Sequence, residues 1–166
     1  VKEKLISIRL IEYSSSEEMS TEEKNLLHEA EKATSFAYAP YSQFRVGAAI
    51  LLENGEIITG SNQENTSYPN GICAERVAIH TAKNKYPDIA IKSIAITATT
   101  NNFEISSPIS PCGMCRQAIA ETENRQKNHI KIIMKGEKGP VMVANSIEDL
   151  LPLMFHEEKL KKKIKI

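Results

Sequence analysis

Cys73, Cys112 and Cys115 are the only cysteines in the chain, and each stands where a loop runs into a helical pattern. Residues 61–71, rich in Asn, Ser, Thr, Pro and Gly, lead into Cys73, and Pro108 and Pro111 bracket the loop that leads into Cys112. An odd number of cysteines makes a poor disulfide framework. Three are also one short of a closed four-cysteine zinc site. A Cys-x-x-Cys pair at a helix N-terminus aims both sulfurs toward one point, where the helix dipole and free amides stabilise thiolates. A third thiolate on a second helix N-terminus completes one face of a tetrahedron. Three protein ligands with a fourth position open describe a catalytic zinc site.

The pattern around these cysteines is that of alternating strands and helices. Residues 5–13 place Ile6, Ile8 and Leu10 at period two, which predicts a strand. Ser20 and Glu23 form a capping-box pattern, and Leu26, Leu27, Ala30 and Ala33 follow at helical spacing, predicting a helix over 21–37. The apolar run Val46 to Leu52 and the segment 56–58 flank Asn54-Gly55, a pair that accepts positive φ at both central turn positions and predicts a hairpin. A helix from Cys73 to Lys85, a strand over 89–98, a helix over 116–124, strands at 130–134 and 141–143, and a short helix capped by Ser146 follow. Such alternation predicts α/β layers around one sheet.

Composition narrows the function. At 166 residues the chain fits one domain. Its 21 basic and 21 acidic residues leave no net charge, which argues against a sequence-independent nucleic-acid binder. No run approaches the roughly 20 apolar residues of a membrane span. Lys2, Glu3 and Lys4 precede a short apolar stretch broken at Ser7 and Arg9, which is no secretory signal. A cytoplasmic, reducing location is expected, with no nucleic-acid or membrane partner. The lysines from Lys159 onward read as a solvated tail.

Read from residue types alone, Cys112-x-x-Cys115 also suits a redox pair. His28, His80, His129 or His156 could supply a fourth ligand to a structural zinc in an interaction module, although none has finger spacing. Plain buried cysteines are a further alternative. Glu75, two residues after Cys73, is placed to reach an open coordination position and do acid–base work beside a Lewis acid. A glutamate in a first helical turn is also simply favoured by the dipole.

Cys73-Ala74-Glu75-Arg76, followed by Pro111-Cys112-Gly113-Met114-Cys115-Arg116-Gln117, resembles the zinc-dependent nucleoside deaminases, specifically cytidine deaminases of the small, homotetrameric type. The wider zinc-deaminase signature carries a glutamate after the first ligand and a later Pro-Cys-x-x-Cys. Residues 39–49, Asn62 to Asn65, Ser67-Tyr68-Pro69 and Leu150 to Phe155 extend the resemblance in order over residues 21–156. It implies a three-layer α/β/α fold with a central mixed sheet of about five strands. It also implies an N-terminal extension over 1–20, with a possible extra strand, and a tail over 157–166.

The same resemblance implies roles. Cys73, Cys112 and Cys115 hold one zinc ion. Glu75 shuttles protons while zinc-activated water is added at C4 of cytidine or deoxycytidine and ammonia leaves. Asn62 and Glu64 bind ribose hydroxyls, Phe44 lines the nucleoside pocket and Ala74 offers backbone contact to the pyrimidine. Tyr68 and Phe155 reach a neighbouring subunit's site in a homotetramer. Three thiolates and a hydroxide outweigh the charge of a dication, and Arg76 is expected to offset the excess. Deaminases of other small molecules, such as blasticidin S, share the cysteine motifs, but Asn62-x-Glu64 favours a ribose. After Gln117 the sequence is more polar than the family leads one to expect, which predicts a shorter or more exposed helix.

Overall fold

Ser20 opens the first long helix as its residue type requires. Its hydroxyl accepts from the Glu23 amide at 3.3 Å, and the Glu23 carboxylate accepts from the Ser20 amide at 3.1 Å. In the computed structural model, which describes residues 1–157 and residue 160, the elements are β1 (Ile11–Tyr13), α1 (Thr21–Ala33), β2 (Arg45–Leu52), β3 (Ile57–Ser61), α2 (Ala74–Lys85), β4 (Ile91–Thr99), α3 (Gly113–Gln126), β5 (Lys131–Lys135) and β6 (Val141–Ala144). A single helical turn, Ile147–Asp149, follows β6. The expected tail over 157–166 lies, apart from Glu157 and Leu160, outside the described residues.

The six strands form one sheet in the order β1-β6-β5-β4-β2-β3. Only β4 and β5 run parallel, joined through α3, so the sheet is mixed as expected. β2 and β4 are apolar on both sides because both faces are covered. Ile50, Leu52, Ile94, Ile96, Ile132 and Met134 pack with Ala78, Ala82 and Ile119 of α2 and α3. Ala49, Leu51, Ala95, Ile133 and Val143 pack with Leu26, Leu27 and Ala30 of α1. This gives the three layers, α1 on one side and α2 with α3 on the other.

β1 is the sixth strand, beyond the five expected. It covers only the end of the predicted segment 5–13. Its register pairs Ile11 with Val143 and Tyr13 with Val141, so residues before Leu10 run past the end of β6 at Ala144. The chain there leaves the ladder, and the Arg9 amide instead donates to Asp149 Oδ1 at 3.0 Å. The hairpin at Asn54-Gly55 also differs in detail. Positive φ occurs only at Gly55, at 85°. Leu52 and Gly55 close a turn at 2.9 Å and the Leu52 amide bonds Glu56 O at 2.9 Å, so the loop is three residues long with a left-handed glycine at its end.

α1 stops at Ala33, earlier than predicted, and tightens into a 3₁₀ turn over Thr34–Phe36. α3 is longer than predicted, and several of its polar residues face inward with partners. Glu123, 7% exposed, accepts from the Ile130 amide at 2.8 Å and the Ile147 amide at 3.0 Å. Gln126 accepts from the Ile91 amide at 2.9 Å and donates to its carbonyl at 2.8 Å, in the manner of a neighbouring strand.

The close approach of α2 to the sheet is set at Gly60. A Cβ there would lie 2.5 Å from Ala74 O and 2.6 Å from the Ala78 amide nitrogen. Both obstacles are backbone and cannot turn aside. Gly60→Ala is expected to destabilise by about 1–3 kcal/mol through overpacking, read as a lower midpoint in thermal unfolding. An unchanged midpoint would contradict this packing.

Candidate active site

Cys73 and Cys112 are the N-cap residues of α2 and α3, and neither side chain caps its own helix. Both helices lie on the same face of the sheet, so their N-termini meet. Cys112 Sγ lies 3.8 Å from Cys73 Sγ and 3.5 Å from Cys115 Sγ, and all three sulfurs fall within 4.8 Å of one another. Tetrahedral zinc–thiolate bonds of about 2.3 Å place sulfurs about 3.8 Å apart, so the donor set fits zinc in both chemistry and size. All three cysteines are free thiols, and among the described residues no histidine joins the cluster.

The site is electrostatically uneven. A hydrogen bond from the Cys115 thiol, helped by Arg76, pushes Cys73 down to about 5. Cys115, hydrogen-bonded to Cys73 and wholly buried, is pushed up from the ordinary thiol value. Glu75, in the first turn of α2 and 4% exposed, is also raised, chiefly by burial and further by the neighbouring Cys73 charge. Arg76 Nη2 lies 3.9 Å from Cys73 Sγ and 3.5 Å from Gly71 O. Its Nε is buried without a hydrogen-bond partner.

Cys73, Glu75, Arg76 and Cys112 line a cavity of about 730 Å³ together with Phe44, Asn62, Glu64 and Tyr68. Residues far apart in sequence thus share one space. Ala74 is fully buried behind this wall. Phe155 lies outside the cavity and is 70% exposed, its carbonyl accepting from Gln117 Nε2 at 3.0 Å. Tyr68, expected at a neighbouring subunit, stands against this chain's own cavity, edge-on to Tyr41 with ring centroids 6.0 Å apart.

The polar wall is held by the chain itself. Asn62 Oδ1 accepts from the Val46 amide at 2.8 Å and its Nδ2 donates to Phe44 O at 2.9 Å. Glu64 Oε2 accepts from the Tyr41 amide at 2.9 Å and the Ser42 amide at 3.3 Å, and Oε1 takes the Ser42 hydroxyl. That hydroxyl, with the two amides, keeps the Glu64 carboxyl below the usual range. Ser42 was not singled out in the sequence, although it stands in the segment 39–49. Phe103 was also missed. Its ring stacks on Phe44, with centroids 6.4 Å apart, from a loop with no periodic signal.

Residues 20–130 match the family model described as cytidine and deoxycytidylate deaminase zinc-binding region. A cytidine deaminase of Sporosarcina psychrophila is 40% identical over 137 residues, covering 82% of this chain and 93% of that protein. One from Halalkalibacterium halodurans is 42% identical over 135 residues, covering 81% and 95%. The crystal structure of cytidine deaminase from Burkholderia pseudomallei superposes with a TM-score of 0.69 at 36% identity, covering 82% of this chain and all of that one. The fold and the site define a zinc-dependent hydrolytic enzyme. The chain belongs to the cytidine and deoxycytidylate deaminase family, its cofactor is zinc, and the three-cysteine cluster can hold that ion.

The contacts of Arg76 with the sulfur cluster lead to a direct test. Arg76→Ala is expected to fold as the parent protein does but to hold zinc about 10–100-fold more weakly, the usual loss when a group supporting a metal ligand is removed. Competition with a chelator measures this. An unaltered zinc affinity would remove Arg76 from the metal centre.

Proposed function

We propose that this chain hydrolyses cytidine and deoxycytidine to uridine and deoxyuridine, releasing ammonia, as in pyrimidine salvage. The observation that carries the reading is the burial of Glu75 beside three convergent sulfurs, in one cavity with Phe44, Asn62 and Glu64. Cys73, Cys112 and Cys115 are assigned as the ligands. Zinc bound there supplies the Lewis acidity that makes water nucleophilic near neutral pH.

Glu75 carries the protons. Burial raises its carboxyl, so it holds a proton nearer to neutrality than an exposed glutamate does. It donates that proton to N3 of the pyrimidine as water oxygen bonds to C4. It takes one proton from the water and passes it to the exocyclic amine, the C4–N bond breaks and ammonia leaves, and the second water proton returns to Glu75 as the C4 carbonyl forms. Arg76 offsets part of the thiolate charge.

Substrate binding follows from the hydrogen bonds still available. The Glu64 carboxylate has about four acceptor positions, and three are used by Ser42 and the Tyr41 amide. The remaining one, on Oε1, accepts a ribose hydroxyl. Asn62 keeps a second lone pair on Oδ1 and a second proton on Nδ2 for another hydroxyl. Phe44 packs against the nucleoside, and Ala74 contributes backbone rather than side chain. The charged residues on the cavity wall are Glu64, Glu75 and Arg76, a balance that suits an uncharged nucleoside better than a nucleotide phosphate.

We further infer a homotetramer, in a reducing cytoplasmic setting, with residues 21–156 as the catalytic unit. Phe155 packs on the base in a neighbouring subunit's site, and Tyr68 contributes at the same junction. The exposure of Phe36, Met114, Leu153 and Phe155 supports a further apolar interface. Among the described residues no helix is long and apolar enough to cross a membrane.

Glu75→Gln is expected to retain zinc and lose several orders of magnitude in turnover, followed as loss of the cytidine absorbance band. Near-parental turnover would overturn the mechanism. A panel of cytidine, deoxycytidine, dCMP and blasticidin S should rank the two nucleosides first. Sedimentation should give a tetramer, and dilution through its dissociation range should lower specific activity. A fully active monomer would refute the shared site.

A further inference from the structure

Arg116 follows Cys115 directly, and its guanidinium joins two separate stretches of backbone. Nε donates to Pro111 O at 2.8 Å and Nη1 donates to Leu150 O at 2.7 Å. Pro111 is the residue before Cys112, the most exposed of the three cysteines. Residues 106–111 make no other hydrogen bond among the described residues. Pro108 and Pro111 have no amide proton to offer. Ser106 and Ser107 pack their backbone against Gly139 and Gly136, but the only hydrogen bond that reaches the end of the loop next to Cys112, among the described residues, comes from the Arg116 side chain.

The far anchor is firm. Leu150 ends the turn Ile147–Asp149, and that turn is fixed from two further directions. The Glu123 carboxylate accepts from the Ile147 amide at 3.0 Å and the Ser146 hydroxyl at 3.0 Å. Asp149 accepts from the Arg9 amide at 3.0 Å, bringing in the segment just before β1.

We propose that Arg116 is a positioning residue for the metal centre: it clamps the Cys112 loop to the C-terminal turn and so fixes Cys112 Sγ relative to Cys73 and Cys115. The inference rests on reading the cluster as the zinc site. A planar fork with fixed donor directions suits two carbonyls in different segments. A lysine ammonium is a point charge on a flexible stem and does not reproduce that geometry. Arg116 touches neither substrate nor metal in this role and acts through Cys112.

The test compares Arg116→Lys with Leu27→Ala in the zinc-loaded full chain. Leu27 lies on the buried side of α1, against the opposite face of the sheet, so its truncation lowers the unfolding midpoint without touching the loop. Zinc release to excess colorimetric chelator is timed below both midpoints. Arg116→Lys is expected to release zinc about 10–100-fold faster than the parent, and Leu27→Ala at the parental rate. In cobalt-substituted protein the thiolate-to-metal charge-transfer band should shift for Arg116→Lys alone. Equal release by the two variants, with an unshifted band, would overturn the clamp and leave the zinc reading standing. A parent protein that holds no zinc would overturn both.

Discussion

Three thiol groups within 4.8 Å of one another are the constraint around which this molecule is arranged. As thiolates they repel, and nothing in a single helix could bring them together. The fold solves this by setting two helix N-termini side by side on one face of a sheet. Each terminus brings unpaired amides and the positive end of a dipole. Cys73 and Cys112 occupy the N-cap positions where a Ser or Asp would ordinarily bond its own helix. Their sulfurs are free to hold a shared cation. Gly60 brings α2 close to β3, and Arg76 adds positive charge beside Cys73.

The opposite end of α3 is held by polar side chains rather than by apolar packing. Glu123 gathers the Ile130 and Ile147 amides and the Ser146 hydroxyl, and Gln126 pairs with both backbone groups of Ile91. A buried carboxylate that accepts several hydrogen bonds fixes its partners in direction as well as distance. Strand β4, strand β5 and the turn after β6 are all referenced to α3 in this way. The helix that begins at the cysteine cluster therefore ends at a junction that locates much of the sheet.

Much of this was legible in the sequence because it depends on local pattern. The capping box at Ser20, the apolar runs of β2 and β4 and the cysteine motifs each signal themselves within a few residues. Arg116, Phe103 and the inward polar residues of α3 did not, because their partners lie in other segments. Glu123 looks like a surface glutamate until Ile147 is folded against it. The strand expected over residues 5–13 shortened to Ile11–Tyr13 for a similar reason, since β6 ends at Ala144 and leaves the residues before Leu10 without a neighbouring strand.

By itself the sequence determined the chemistry: which residues are thiols, carboxylate and guanidinium, and that the thiols begin helices. Side-chain type and helix signals are properties of short stretches of chain, so one dimension suffices to read them. The tertiary structure alone decided that Cys73 meets Cys112, that Glu75 loses its water, and that Asn62 and Glu64 share a cavity with both. Those are matters of distance and burial between segments remote in the chain. They arise only when the two helices pack on the same face of the sheet.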